Sequence, residues 1–76
     1  MAEDPTEIAR VRLLEALMKK VAEDQYPSTT MMDIIEEMLT EEHLEAYAEI
    51  LLAHIENEQF PSMPMIARLR DLALPA

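Results

Sequence analysis

QYPSTTMM, residues 25–32, returns 34 positions later as QFPSMPMI, residues 59–66. Each copy sets an aromatic residue, a proline and a serine in the same order. Each also lies between stretches whose apolar residues recur at three- and four-residue steps, the spacing of one helix face. Proline disfavours helical geometry in the residue before it, and serine caps the helix that follows. The motif therefore reads as a corner joining two helices, and the chain carries two such corners.

Upstream of the first corner, Asp4 is an N-cap candidate, Pro5 suits the first helical position and Glu7 is the capping-box partner. Ile8, Val11, Leu14, Leu17, Met18 and Val21 then form one apolar face, predicting a helix from about Pro5 to Asp24. Past the corner, Met31, Ile34, Ile35, Met38 and Leu39 mark a short second helix. Thr40 followed by Glu41 and Glu42 marks the start of a third, since carboxylates in a first turn complement the helix dipole. That helix should end near Asn57, a residue that tolerates a left-handed exit where no glycine is present. Beyond the second corner, Met65, Ile66, Leu69 and Leu72 mark a fourth.

The match extends upstream without a gap. At a spacing of 34, Leu13 pairs with Tyr47, Leu17 with Leu51, Met18 with Leu52 and Val21 with Ile55; downstream, Met31 pairs with Met65, Met32 with Ile66 and Ile35 with Leu69. The expected fold is all-α: one compact four-helix domain over residues 1–76, made of two tandem helical hairpins, 5–39 and 41–73, related by an internal repeat. In each hairpin the aromatic residue, Tyr26 or Phe60, should pack its ring against both helices. Pro27 or Pro61 should end the long helix, and Ser28 or Ser62 should begin the short one.

Composition narrows the classes. A chain of 76 residues buries only about 60% of the surface it exposes unfolded, so help from a partner subunit is a reasonable expectation. Half the residues are hydrophobic, which separates the chain from disordered acidic tails despite a formal charge of -10. Absence of cysteine suits a reducing compartment, no apolar run reaches membrane-spanning length, and MAEDPTEIAR does not read as a signal peptide. A cytoplasmic, membrane-free protein is expected. Zero glycine argues against strand hairpins and phosphate-cradling loops.

The chemistry of known sites is not legible here. Tetratricopeptide units share the 34-residue period but have small residues at close helix contacts and helices of similar length. EF-hand loops require alternating Asp or Asn ligands, a central glycine and a closing glutamate, which EDQYPSTTMMDI lacks. His43 and His54 lie eleven apart, with no second ligand one turn away, so no metal or other cofactor is expected. The hydroxyls fall at caps and nothing resembles a nucleophile elbow, so the expectation is a non-enzyme.

Charge is the most informative remaining feature. Residues 21–67 carry eleven Asp or Glu and no Lys or Arg, whereas the first twenty residues balance four of each sign. On the third helix Glu42, Glu45, Glu49 and Glu56 fall on one narrow arc opposite Leu44, Tyr47, Ala48, Leu51 and Ile55. Such a ridge keeps a small protein soluble, and it also suits docking of a basic protein partner. Direct nucleic-acid binding is disfavoured, since phosphates need a basic patch. A second row, His43, Tyr47, Ile50 and His54, runs beside the core stripe, with Leu52 widening the apolar arc on the other side; so broad an arc suits the most central helix of the bundle first and a homodimer seam second. Met31, Met32, Met38, Met63 and Met65 cluster at and after the two corners, as core filling or as an adaptable surface for a partner. The functional expectation is a small protein–protein interaction or regulatory module. The alternative is a nucleic-acid mimic that inhibits a DNA- or RNA-binding protein.

Overall fold

The computed structural model describes residues 4–58 and 62–73, and the regular structure among them is entirely helical. Four helices follow in order: α1 (Pro5–Glu23), α2 (Thr29–Met38), α3 (Glu41–Asn57) and α4 (Met63–Ala73). The chain divides into two compact units, Met1–Leu39 and Thr40–Ala76. In the first unit α1 packs against α2, and in the second α3 packs against α4.

Caps explain where these helices begin. The Asp4 carboxylate accepts the Thr6 N–H at 2.9 Å, and Pro5, which has no N–H to satisfy, takes the first helical position. Glu7 faces Arg10 at 3.9 Å, a pair exposed enough to contribute little. At the first corner, Ser28 Oγ accepts the Met31 N–H at 3.2 Å and the Ser28 carbonyl accepts the Met32 N–H at 3.0 Å. At the second, Ser62 Oγ accepts the Met65 N–H at 3.3 Å and its carbonyl accepts the Ile66 N–H at 3.0 Å. The two serines thus make the same pair of bonds. α3 begins differently, because Thr40 makes no side-chain cap bond; its hydroxyl lies 3.1 Å from His43 Nδ1 instead. Glu41 and Glu42 answer the positive end of that helix.

Ser28→Ala and Ser62→Ala should therefore each lower stability by about 1 kcal/mol. Thr40→Ala, which removes no cap bond, should cost less. Urea unfolding of the three variants would show the difference.

α1 and α3 end where the sequence predicts, but the left-handed exit expected at Asn57 does not occur: Asn57 is the last residue of α3, and the chain leaves through Glu58 at φ -92°, ψ 137°. Asp24 and Leu39 leave α1 and α2 through extended backbone as well, and among the described residues none has positive φ. An extended exit carries no left-handed strain, so a chain without glycine can stop a helix this way at any side chain. The remaining orphan carbonyls are left to water or side chains.

The first unit buries Leu14, Met18 and Val21 of α1 against Met32 and Ile35 of α2; the second buries Tyr47 and Leu51 of α3 and Met65 of α4. Burial corrects the predicted faces in three places. Leu13 and Leu52, matched above to core positions, are 49% and 43% exposed. The buried face of α2 is centred between Met32 and Ile35, which turns Ile34 outward. Most plainly, Tyr26 is 81% exposed, so its ring does not pack against the two helices of its corner. Phe60 and Pro61 lie outside the described residues.

The spacing of the deepest positions also differs from the spacing of the corners. Ser28 and Ser62 stand 34 apart, whereas the buried residues Leu14 and Tyr47, Met18 and Leu51, and Met32 and Met65 stand 33 apart. One residue turns a helix by about 100°, enough to exchange a core position for a flanking one.

Candidate functional site

α3 has two chemically distinct sides. Its inner side carries Tyr47 and Leu51, both with no exposed surface, flanked by half-buried Leu44, Ala48 and Ile55. Its outer side carries Glu42, Glu45, Glu49 and Glu56, all exposed. At 100° per residue these four carboxylates fall within an arc of about 60°, and at 1.5 Å per residue they extend over about 21 Å of the helix. Their row therefore faces solvent as the helical spacing predicts. Leu52 stands beside it, about 20° from Glu45, and exposed Ala46 and Ala53 border the other edge. The small alanines let an approaching backbone come close, while Leu52 offers one apolar anchor.

The second row named from the sequence does not stay together as a surface. Tyr47 is wholly interior, and among the described residues it is the largest of the fully buried side chains. Only half-buried His43, Ile50 and His54 remain along that flank, with the His43 ring held near the Thr40 hydroxyl. A seam centred on Tyr47 is thus core rather than a face that another molecule could reach.

The methionines separate by depth. Met18, Met32 and Met65 fill the cores, Met31 and Met38 are half-buried, and Met63 at the start of α4 is 71% exposed. Irregular filling by thioethers accounts for the buried ones. The corner residues divide likewise: Tyr26 projects outward, Pro27 is half-buried, and Ser28 and Ser62 act as caps.

Tyr26 is the surface feature that sequence reasoning misplaced. A signal existed, because the apolar stripe of α1 ends at Val21 and the intervening AEDQ is dominated by polar residues. That break in the stripe outweighs the general tendency of aromatic rings to be buried. An open depression elsewhere on α1 is lined by Asp4, Glu7, Ile8, Val11 and Arg12. Of its two carboxylates, Asp4 caps the helix and Glu7 lies in the first turn, 3.9 Å from Arg10.

No group of three or more His, Asp or Glu arranged to hold a metal ion occurs among the described residues, and no described helix is long and apolar enough to cross a membrane. Comparisons with protein families, with curated proteins and with solved structures find no match to this chain.

Proposed function

We propose that this chain is a non-enzymatic, cytoplasmic interaction module that holds a basic segment of a protein partner along the outer side of α3. The observation that carries this reading is the exposed row of Glu42, Glu45, Glu49 and Glu56 with Leu52 at its edge. The absence of any Lys or Arg between residues 21 and 67 supports it, since no neighbouring base in sequence offsets the row. Carboxylates spread over about 21 Å suit several cations in succession, as an arginine- or lysine-rich segment presents them. Phosphates would be repelled by the same row.

We also read residues 5–39 and 41–73 as copies of one hairpin. The equivalent bonds of Ser28 and Ser62, 34 residues apart, support this reading. The spacing of 33 between deep core positions limits the likeness to the corners and their immediate flanks.

Affinity capture from the native host, with the Glu45→Lys/Glu49→Lys variant as control, tests the function. The expected result is a basic protein held by the wild type, lost by the variant, weakened but still bound in ~0.5 M salt and unmoved by duplex DNA. Displacement by DNA would instead favour nucleic-acid mimicry. Equal capture by wild type and variant would refute docking on the ridge.

A further inference from the structure

We propose that the N-terminal half of α1 is the contact through which two copies of this chain pair, antiparallel about a two-fold axis at Ile8. This inference concerns a different face from the ridge on α3 and stands independently of it.

The apolar stripe of α1 runs on past the helix that covers it. α1 has 19 residues and α2 has 10, so at 1.5 Å per residue α2 is about 14 Å shorter. Burial on α1 begins at Leu14, and no residue from Asp4 to Leu13 is buried. Ile8, 40% exposed, and half-buried Val11 nevertheless continue the same three- and four-residue spacing toward the N-terminus. Among the described residues these two line an open depression of about 500 Å3 together with Asp4, Glu7 and Arg12. Apolar groups and both signs of charge thus share one concavity.

Charge selects the occupant. The formal charge of -10 arises wholly from residues 21–76, whereas residues 1–20 balance four acids against four bases. A second copy is repelled by the acidic residues 21–67 but not by this half of α1. Asp4, Ile8 and Arg12 are spaced by four residues, which sets opposite charges about 6 Å to either side of Ile8 along the helix. With the second copy antiparallel, Asp4 of each chain meets Arg12 of the other and the two Ile8 side chains meet on the axis, an isologous contact. Asp4 accepts the Thr6 N–H through Oδ1, and its Oδ2 can serve the arginine. Glu7 lies 3.9 Å from Arg10 of its own helix. Sliding the pair until Ile8 faces Val11 would set Asp4 against Glu15, and a parallel pair would set like charges together. A polycation or a nucleic acid would meet charge of its own sign in the row. So short a contact falls below the ~1,200 Å2 of stable interfaces, so the pair is weak and half-formed at about 0.1–1 mM chain.

The test is translational diffusion by NMR up to ~2 mM chain, in ~0.15 M salt to screen the net repulsion, for wild type, Asp4→Asn, Arg12→Ala and Ile8→Lys. Asparagine caps a helix as well as aspartate does, and the other two positions are exposed, so circular dichroism should show equal helicity in all four. Wild type should slow with concentration as pairs form. Asp4→Asn and Arg12→Ala should each weaken pairing about two- to tenfold, and Ile8→Lys should diffuse as a monomer throughout. A second measurement reads the register. The chain has no cysteine, so Ile8→Cys places a single thiol on the axis. Under oxidised glutathione it should cross-link about tenfold faster than Leu13→Cys, which is 49% exposed but off the row. Wild type that stays monomeric overturns the proposal and leaves the depression to a different molecule. Pairing that Ile8→Lys and Arg12→Ala leave unchanged places the contact on another face, which overturns it too. Cross-linking no faster at Ile8 than at Leu13 contradicts the two-fold axis and the proposal with it.

Discussion

Tyr47→Ala should destabilise the protein by about 3–5 kcal/mol and lower its unfolding midpoint sharply. Its side chain has no exposed surface and is, among the described residues, the largest of those fully buried. Truncating a buried aromatic to alanine costs about 3–5 kcal/mol, because transfer energy is lost and a cavity is left. A chain of 76 residues has a total stability of about 4–11 kcal/mol, so this one loss is a large share of it. A hydrogen bond is removed as well. No buried side-chain nitrogen or oxygen among the described residues lacks a partner, so the interior Tyr47 hydroxyl is bonded, and the truncation removes that bond. Circular dichroism at the helical minimum during urea unfolding would register the change. Tyr26→Ala, by contrast, should stay within about 0.5 kcal/mol of wild type. A comparable effect at both tyrosines would mean that the burial of α3 is wrongly assigned.

Reversing charge on the ridge should produce the largest effect on binding. Glu45→Lys with Glu49→Lys raises the formal charge from -10 by four units while altering only exposed positions. An exposed pair at 4 Å in water is worth about 1 kcal/mol, and reversal turns attraction into repulsion, roughly doubling the change at each site. Salt screening reduces the total, so at moderate ionic strength an affinity loss of about tenfold or more is the conservative expectation. Stability should barely move. Unchanged affinity together with unchanged helicity would show that the row only solubilises the protein.

Helix boundaries were legible because their signals are local. Asp4 and Pro5 mark the start of α1, Ser28 and Ser62 cap the helices after the corners, and acidic residues mark the first turn of α3. The two sides of α3 were legible too, since its charged and apolar residues are cleanly separated around the helix. The face of α2 was not. Met31, Met32, Ile34, Ile35, Met38 and Leu39 surround much of a ten-residue helix, leaving periodicity little to discriminate, and packing on α1 selects Met32 and Ile35. No base occupies the last turn of α2, so burial of those two residues, rather than dipole complementarity, holds this short helix. Likeness between the corners exaggerated likeness between the cores, because the motif fixes where a helix starts without fixing which residue points inward. Tyr26 shows the same limit. An aromatic side chain beside a proline is a local pattern, whereas its burial depends on whether a neighbouring helix covers it.

The most direct measurement is amide and side-chain chemical-shift mapping of the chain with its captured partner. The largest changes should fall on Glu42, Glu45, Glu49, Leu52 and Glu56. Changes concentrated on Leu44, Tyr47, Leu51 and Ile55, with the carboxylate row unmoved, would contradict docking on the outer side of α3.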